Sequence, residues 1–146
     1  MSRLTSANSG KPQKDAKPRM NADARRLNQI TEKIIGCTYT VANALGPGFL
    51  EKVYENALSH ELRKSDLKVE QQKNIQVYYD DIVVGEYAAD LLVEGSALVE
   101  LKAAKALDEI HMAQCLNYRK ATGLRICRLL NFGTPRVEVK RLVNQF

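Results

Sequence analysis

The chain of 146 residues contains no tryptophan, only two histidines and only three cysteines. The cysteines are far apart in sequence and form no Cys-x-x-Cys pair, so we expect neither a disulfide framework nor a zinc knuckle. We expect Cys37, Cys115 and Cys127 to be small buried residues instead. No apolar run approaches the roughly 18 residues that a membrane-spanning helix needs. The N-terminal residues also lack the apolar centre of a secretory signal, which favours a cytoplasmic protein without a membrane partner.

The sequence has no net charge beyond its first 26 residues. The formal net charge of the whole chain is +5, and residues 1–26 account for it with seven Lys or Arg and two Asp. The excess of basic residues therefore lies in the N-terminal segment. It is no evidence that the rest of the chain binds nucleic acid. A hydrophobic share of 45% and a charged share of 27% are typical of one folded globular domain.

Within the rest of the chain, acidic and basic residues are separated. Residues 80–109 contain eight acids and two lysines, whereas residues 119–141 contain seven basic residues and one Glu. An acidic centre next to a basic flank suits a cation site beside a track for a polyanion. An ordinary solvated surface gives the same pattern, so charge alone does not decide between the two interpretations.

Hydrophobic periodicity divides the chain into a tail and one domain. Residues 1–23 are polar and basic and are predicted to be a disordered tail, and residues 24–146 are predicted to form the domain. Apolar residues at helical spacing predict two helices on either side of Gly46-Pro47-Gly48 and a third at 107–121. Alternating or continuous apolar segments predict five strands, at 69–79, 82–93, 97–103, 124–132 and 137–143. The order ααβββαββ predicts an α/β sandwich with an antiparallel hairpin, a helical crossover and a last strand at an edge.

Two carboxylates and a lysine lie on adjacent predicted strands. Glu100 and Lys102 are two residues apart, so they share one face of their strand. If the hairpin turn centres on Gly95, Asp90 lies opposite Glu100, and two like charges at that distance destabilise a sheet. A divalent cation would offset the repulsion, and oxygen ligands favour Mg²⁺ or Mn²⁺. A shift of half a residue in the turn centre would turn Asp90 to the other face, and a solvated Glu–Lys pair is the simpler alternative.

Several short blocks of the sequence form an ordered series. The first block is Gly48-Phe49-Leu50-Glu51-Lys52-Val53-Tyr54. The blocks that follow are Gly85-Glu86-Tyr87, Asp90-Leu91-Leu92-Val93, Val99-Glu100-Leu101-Lys102-Ala103, Gln114 with Asn117-Tyr118, Lys120-Ala121-Thr122-Gly123, and Asn131-Phe132-Gly133. This series resembles the GxxExxY family of the PD-(D/E)XK nuclease superfamily, whose signature the first block matches, and the resemblance covers residues 28–143. It implies a restriction-endonuclease-like three-layer sandwich, with a central mixed β-sheet flanked by helices, and metal-dependent cleavage of phosphodiester bonds.

The resemblance also implies roles for individual residues. Asp90, Glu100 and Glu51 would hold the Mg²⁺ or Mn²⁺, and Lys102 would orient water or stabilise the phosphorane. Gln114 resembles the first residue of the Gln-x-x-x-Tyr element of nuclease relatives and joins the predicted catalytic set. The predicted contacts to substrate are Tyr118, Arg119 and Lys120. Two positions depart from the pattern, since Ala89 replaces the Pro of the superfamily name and Ala88 replaces an expected Arg.

The expected partner is nucleic acid, DNA before RNA, and the chain is a candidate homodimer. Three alternatives remain open at this point. Glu51 could be an ordinary acid at a helix N-terminus, and Tyr54 could be a core residue whose hydroxyl is satisfied locally. The whole domain could also be a catalytically silent nucleic-acid-binding or protein-interaction module with the same fold.

Overall fold

The computed structural model describes residues 22–142, so most of the predicted tail and residues 143–146 lie outside the described part. The three helices are α1 (Ala22–Leu45), α2 (Glu51–Lys64) and α3 (Glu109–Thr122). The five strands are β1 (Val69–Tyr79), β2 (Ile82–Val93), β3 (Ala97–Lys102), β4 (Ile126–Asn131) and β5 (Glu138–Leu142). The predicted order ααβββαββ is confirmed. The last two residues of the predicted tail, 22 and 23, belong to the first turn of α1.

The helices begin and end at local signals in the sequence. α1 buries Ile30, Ile34 and Val41 on one stripe, and it ends before Gly46, whose φ of +69° favours glycine. At the start of α3 the Asp108 carboxylate accepts hydrogen bonds from the backbone N–H groups of Ile110 and His111, in a capping box. Among the described residues, no helix is long and apolar enough to cross a membrane.

The five strands form one mixed sheet in the order β1-β2-β3-β4-β5. β3 and β4 are parallel and are joined through α3, and the other neighbours are antiparallel. β5 lies at an edge of the sheet, as predicted, and β1 forms the other edge. The helical crossover is what allows two consecutive strands to run parallel in the centre of the sheet.

Apolar side chains cover both faces of the sheet. One cluster joins α1 and α2 to the sheet through residues such as Leu91, Val99 and Leu130. The other cluster joins α3 to the opposite face through Leu98 and Leu129, among others. The result is three layers, with two helices on one side and one on the other. This arrangement confirms the predicted α/β class and is consistent with a restriction-endonuclease-like fold.

The β2–β3 hairpin has the register that the sequence predicted. Its paired residues are Leu91 with Val99, Leu92 with Leu98 and Val93 with Ala97, which centres the turn on Gly95. The pairing ends at Leu91 and Val99, whereas the pairing of β2 with β1 extends to Ile82, the first residue of β2. β2 therefore separates from β3, and we call the opening that begins at Asp90 and Glu100 the β2–β3 fork.

The expectation of unpaired cysteines is partly wrong. All three cysteines are buried, but Cys115 and Cys127 form a disulfide and only Cys37 is free. The pair joins α3 to β4, and these elements come together only when the crossover packs on the sheet. A separation of 12 residues without a Cys-x-x-Cys pattern gave no sign of this proximity.

Candidate active site

Asp90 and Glu100 lie at the β2–β3 fork and bridge the two strands where the regular ladder stops. The Asp90 N–H donates to Oε2 of Glu100 at 3.0 Å, and the Leu101 N–H donates to Oδ2 of Asp90 at 2.8 Å. Each carboxylate thus accepts a backbone hydrogen bond from the opposite strand. These two bonds fix both acids with little conformational freedom at the mouth of the opening.

Burial raises the pKa of both acids, Asp90 and Glu100. Glu100 is only 6% exposed. Desolvation raises its pKa to about 7, against the lowering effects of the Asp90 N–H and of Lys102, and Glu55 and Glu51 raise it further. The pKa of Asp90 is also raised, mainly by burial, and here too Glu55 and Glu51 contribute. The fork therefore gathers more negative charge than it can easily hold at neutral pH.

Helix α2 brings two acids to the fork, and sequence analysis identified only one. Glu51 is the first residue of α2, and its carboxylate is exposed. Glu55, one turn later, is only 4% exposed, and its carboxylate accepts hydrogen bonds from Lys52 Nζ at 3.1 Å, Gln71 Nε2 at 2.8 Å and Gln72 Nε2 at 2.8 Å. The four-residue spacing of the two acids, which puts them on one helix face, was the signal that could have found Glu55.

Gln72 links the helix to the fork. Its Nε2 donates to Oε1 of Glu55 at 2.8 Å and to Oδ1 of Asp90 at 3.2 Å. The backbone of Gln72 has a φ of +52°, which is unusual for a residue with a side chain. A backbone conformation of this kind costs free energy unless its surroundings hold it. The two hydrogen bonds make Gln72 a candidate positioning residue, which the sequence pattern did not indicate.

Lys102 ends β3 and is held from the C-terminal end of the neighbouring strand. The Phe132 N–H donates to the Lys102 carbonyl at 2.8 Å. Buried Asn131 accepts from the Ala104 N–H and donates to the Ala104 carbonyl, both at 3.0 Å. A Cβ at Gly133 would lie 2.4 Å from the Ala104 nitrogen, so only glycine allows this close approach. The loop that follows Lys102 is therefore held in one conformation.

The turn before α2 explains the glycine and the tyrosine of the resemblance. Gly48 has a φ of +116°, which side-chain-bearing residues rarely adopt. Tyr54 is fully buried and stacks on Phe132, and its hydroxyl donates to the Gly46 carbonyl at 2.6 Å and accepts from the Phe49 N–H at 3.1 Å. Tyr54 thus fixes the turn from which Glu51 enters the helix. The alternative that it is a locally satisfied core residue is confirmed.

The predicted α3 residues do not join this network. Gln114 is exposed, and no hydrogen bond or ion pair within residues 22–142 ties it to the fork. Tyr118 stacks on Tyr87 with ring centroids 3.3 Å apart, in the cluster under α3. Arg119 lies at the C-terminal end of the helix and donates to the Arg125 carbonyl at 3.0 Å, and Lys120 is exposed. The structure therefore brings together Asp90, Glu100, Lys102 and Glu51, and leaves the α3 set outside that cluster.

The fork offers the chemistry of a magnesium ligand set without a preassembled cluster. Within residues 22–142, no three His, Cys, Asp or Glu side chains converge as a ready metal site. Mg²⁺ commonly binds through one or two carboxylates and completes its shell with water and phosphate oxygens. Asp90 and Glu100 fit this requirement, because Oε1 of Glu100 accepts no hydrogen bond from the described residues. A cation there would also relieve the burial of the two charges.

Comparisons with known proteins identify the superfamily of the chain. A family model described as the PD-(D/E)XK nuclease superfamily matches residues 28–142. No curated protein matches the chain. Four chains of solved structures match, and among them is the crystal structure of SSO0001, at 16% identity and a TM-score of 0.48. That alignment covers 84% of this chain and 61% of the other, so the chain spans less than two thirds of that protein's length.

Proposed function

The chain belongs to the PD-(D/E)XK nuclease superfamily, and on that premise we propose that it is a Mg²⁺- or Mn²⁺-dependent nuclease of the GxxExxY type. Its reaction would be hydrolysis of phosphodiester bonds in nucleic acid, with DNA as the first substrate to test. The observation that carries the proposal is the pair of half-buried Asp90 and buried Glu100 next to Lys102 at the β2–β3 fork.

A purely structural role does not account for the acidic pair. Each carboxylate accepts a backbone hydrogen bond, and yet burial still raises both pKa values. An asparagine or a glutamine would accept the same bonds without the cost of a buried charge. Keeping two acids here makes sense if their charge is used when a cation and a phosphate are bound.

The proposed ligands of the metal are Asp90 and Glu100, with Glu51 from the start of α2 as the third acid. A bound divalent cation would lower the pKa of water and neutralise charge on the phosphate. Glu55 and Gln72 would act as positioning residues through Asp90, and Glu55 would also act through the pKa of Glu100.

Lys102 would supply a fixed positive charge close to the same phosphate. The lysine lowers the pKa of Glu100 electrostatically, which indicates that its ammonium group is near the carboxylate. A cation held in advance stabilises negative charge as it develops on the phosphate under attack. We also propose that Gln114, Tyr118, Arg119 and Lys120 bind the substrate at a distance from the metal, because no hydrogen bond or ion pair within residues 22–142 ties α3 to the fork.

The test is cleavage of supercoiled, linear, branched and single-stranded DNA by the purified protein with Mg²⁺ or Mn²⁺. Lys102→Ala should lose activity, and the matched control Lys105→Ala, an exposed lysine three residues later, should keep it. Calorimetric titration with Mn²⁺ should give heat with the wild type and none with Glu100→Ala.

The outcomes that contradict the proposal are distinct from one another. Salt-sensitive DNA binding that is indifferent to metal and to Asp90→Ala would identify a silent nucleic-acid-binding module. The absence of both metal binding and nucleic-acid binding would favour a protein-interaction domain. Cleavage that is equal in wild type and Lys102→Ala would assign the activity to a contaminant or to another site.

A further inference from the structure

Four arginines converge on one cavity away from the β2–β3 fork. Arg119 comes from the end of α3, Arg125 directly precedes β4, Arg128 lies within β4, and Arg141 comes from the end of β5. The cavity measures about 320 Å³, and its remaining wall includes Thr31 of α1. No acidic side chain lines it among the described residues. We call this cavity the arginine pocket.

Arg128 is buried in the arginine pocket without a full set of partners. The residue is only 7% exposed, and its Nε has no hydrogen-bond partner among residues 22–142. Burial and the neighbouring Arg141 both lower its pKa from the usual value, but a guanidinium group stays charged in proteins. A buried donor on a permanent cation costs free energy unless an acceptor completes it.

The strand register makes the positive charge denser still. Arg128 and Arg141 are direct partners in the antiparallel pairing of β4 with β5, and like charges at such positions oppose each other. Within residues 22–142, no ion pair reaches any of the four guanidinium groups. Asp23 and Arg26 line a neighbouring cavity together with Arg125, so an acid borders only one rim of the arginine pocket.

The arginine pocket lies on the other side of the sheet from Glu100. Side chains alternate along β4, so Arg128 lies on the opposite face of the sheet from Leu129. Arg128 shares the face covered by α1 with Ile126 and Leu130. Alternation along β3 turns Glu100 away from that side, on which Val99 and Leu101 pack. None of the acids proposed to bind the metal lines the arginine pocket.

We propose that the arginine pocket binds a phosphate group. Guanidinium groups match the geometry of phosphate oxygens through paired hydrogen bonds, and several of them together select a multiply charged anion over chloride. The cavity has room for a phosphate and several waters, since one water takes about 30 Å³ in the liquid. The phosphate can belong to a nucleic-acid backbone or to the terminus of a nucleotide or strand.

The test measures anion binding without metal, so it does not depend on nuclease activity. Inorganic phosphate is titrated into the full chain in EDTA at constant ionic strength, with chloride as reference, and the melting temperature and the heat of binding are followed. Phosphate should raise the melting temperature above its value in chloride. Arg141→Gln should weaken phosphate binding about tenfold or more, because charged hydrogen bonds are lost.

The matched control is Lys140→Gln, which removes the same charge from the adjacent exposed residue of β5 but does not line the pocket. Arg125→Gln tests the exposed rim, and Arg128→Lys keeps the charge while removing the planar donor group. If Arg128→Lys fails to fold, the two rim variants still decide the outcome.

Short single-stranded oligonucleotides with and without a 5′-phosphate identify the source of the phosphate. Preference for the 5′-phosphorylated strand supports a terminal phosphate, and equal binding that Arg141→Gln abolishes supports the backbone. The proposal is overturned if phosphate stabilises no more than chloride, or if Arg141→Gln and Lys140→Gln behave alike. Neither result bears on Lys102→Ala, so this proposal and the proposed nuclease activity can fail separately.

Discussion

The β2–β3 fork and the arginine pocket contain buried charges of opposite sign in adjacent strands of one sheet. Val99 pairs with Arg128 and Glu100 pairs with Leu129, so the two buried charged residues are one step apart in register. They differ in how they can respond to burial. Glu100, with its pKa raised to about 7, can take up a proton, whereas Arg128 keeps its charge.

This difference separates two kinds of binding site. Glu100 at the fork can be protonated in the absence of metal and lose its proton when a cation binds. The affinity of the fork for metal should therefore depend on pH. The arginines of the pocket stay charged near neutral pH. The affinity of the pocket for anions should therefore depend on salt concentration, and titration of the arginines should not make it depend on pH. The predictions that follow test one side of this comparison against the other.

The largest effect should follow from neutralising the fork. Asp90→Asn and Glu100→Gln keep acceptors for the Leu101 and Asp90 N–H groups but remove the charge. We expect cleavage to fall by at least about 100-fold, a usual loss when a transition-state charge interaction is removed. Single-turnover cleavage in Mg²⁺ measures it, and phosphate binding at the arginine pocket should not change. Equal loss of both functions would mean that the variants perturb the whole fold.

The next effect is the pH dependence of stability without metal. The pKa of Glu100 rises from 4.5 to about 7 on folding, so its contribution to stability is complete below pH 4.5 and is lost as pH rises through 7. At one pKa unit per 1.36 kcal/mol, the loss is about 3 kcal/mol. Urea unfolding in EDTA at pH 5 and pH 8 measures it. Glu100→Gln should flatten this slope, and an unchanged slope in that variant would locate the titration elsewhere.

Reducing the disulfide should affect the two regions unequally. Cys115 and Cys127 join α3 to the strand that carries Arg128, and they lie 12 residues apart. We expect reduction to cost about 2–3 kcal/mol of unfolding free energy, as for a short loop, and to weaken phosphate binding more than Mn²⁺ binding. Urea unfolding with and without reductant measures the cost. Cys37→Ala should respond to reductant as the wild type does, while Cys115→Ala combined with Cys127→Ala should not respond.

Most of the strands and turns that form the β2–β3 fork could be predicted, because sequence patterns within each element determine them. Counting outward from the hairpin turn at Gly95 predicts the register of β2 and β3. The alternation of side chains along a strand places Glu100 and Lys102 on one face. The fold order followed from periodicity and from the glycines near helix ends. The resemblance added Glu51, which no spacing within the sheet could supply.

The missed features depend on contacts between distant elements. Gln72 bridges Glu55 and Asp90 through a backbone conformation that no sequence pattern signals. The four arginines converge because β4 pairs with β5 in one register and the end of α3 returns to the start of β4. The same packing brings Cys115 to Cys127. The basic residues of 119–141 are visible in the sequence, but their distribution over the two faces of the sheet is not.

The smallest effect should come from replacing Arg128 with an apolar residue of similar length. Buried charges are often replaced by hydrophobic residues at no cost or with a gain. Arg128 pairs with Arg141 across β4 and β5, and its Nε lacks a partner within residues 22–142. We therefore expect Arg128→Met to stabilise the protein by about 1 kcal/mol and to lose phosphate binding. Urea unfolding and phosphate titration of the same preparation measure both. The matched change Glu100→Met should also stabilise the protein at pH 8, but hardly at pH 5, where the wild-type carboxyl is already neutral. A destabilised Arg128→Met would mean that the arginine holds the sheet together, and its burial would then need no anion.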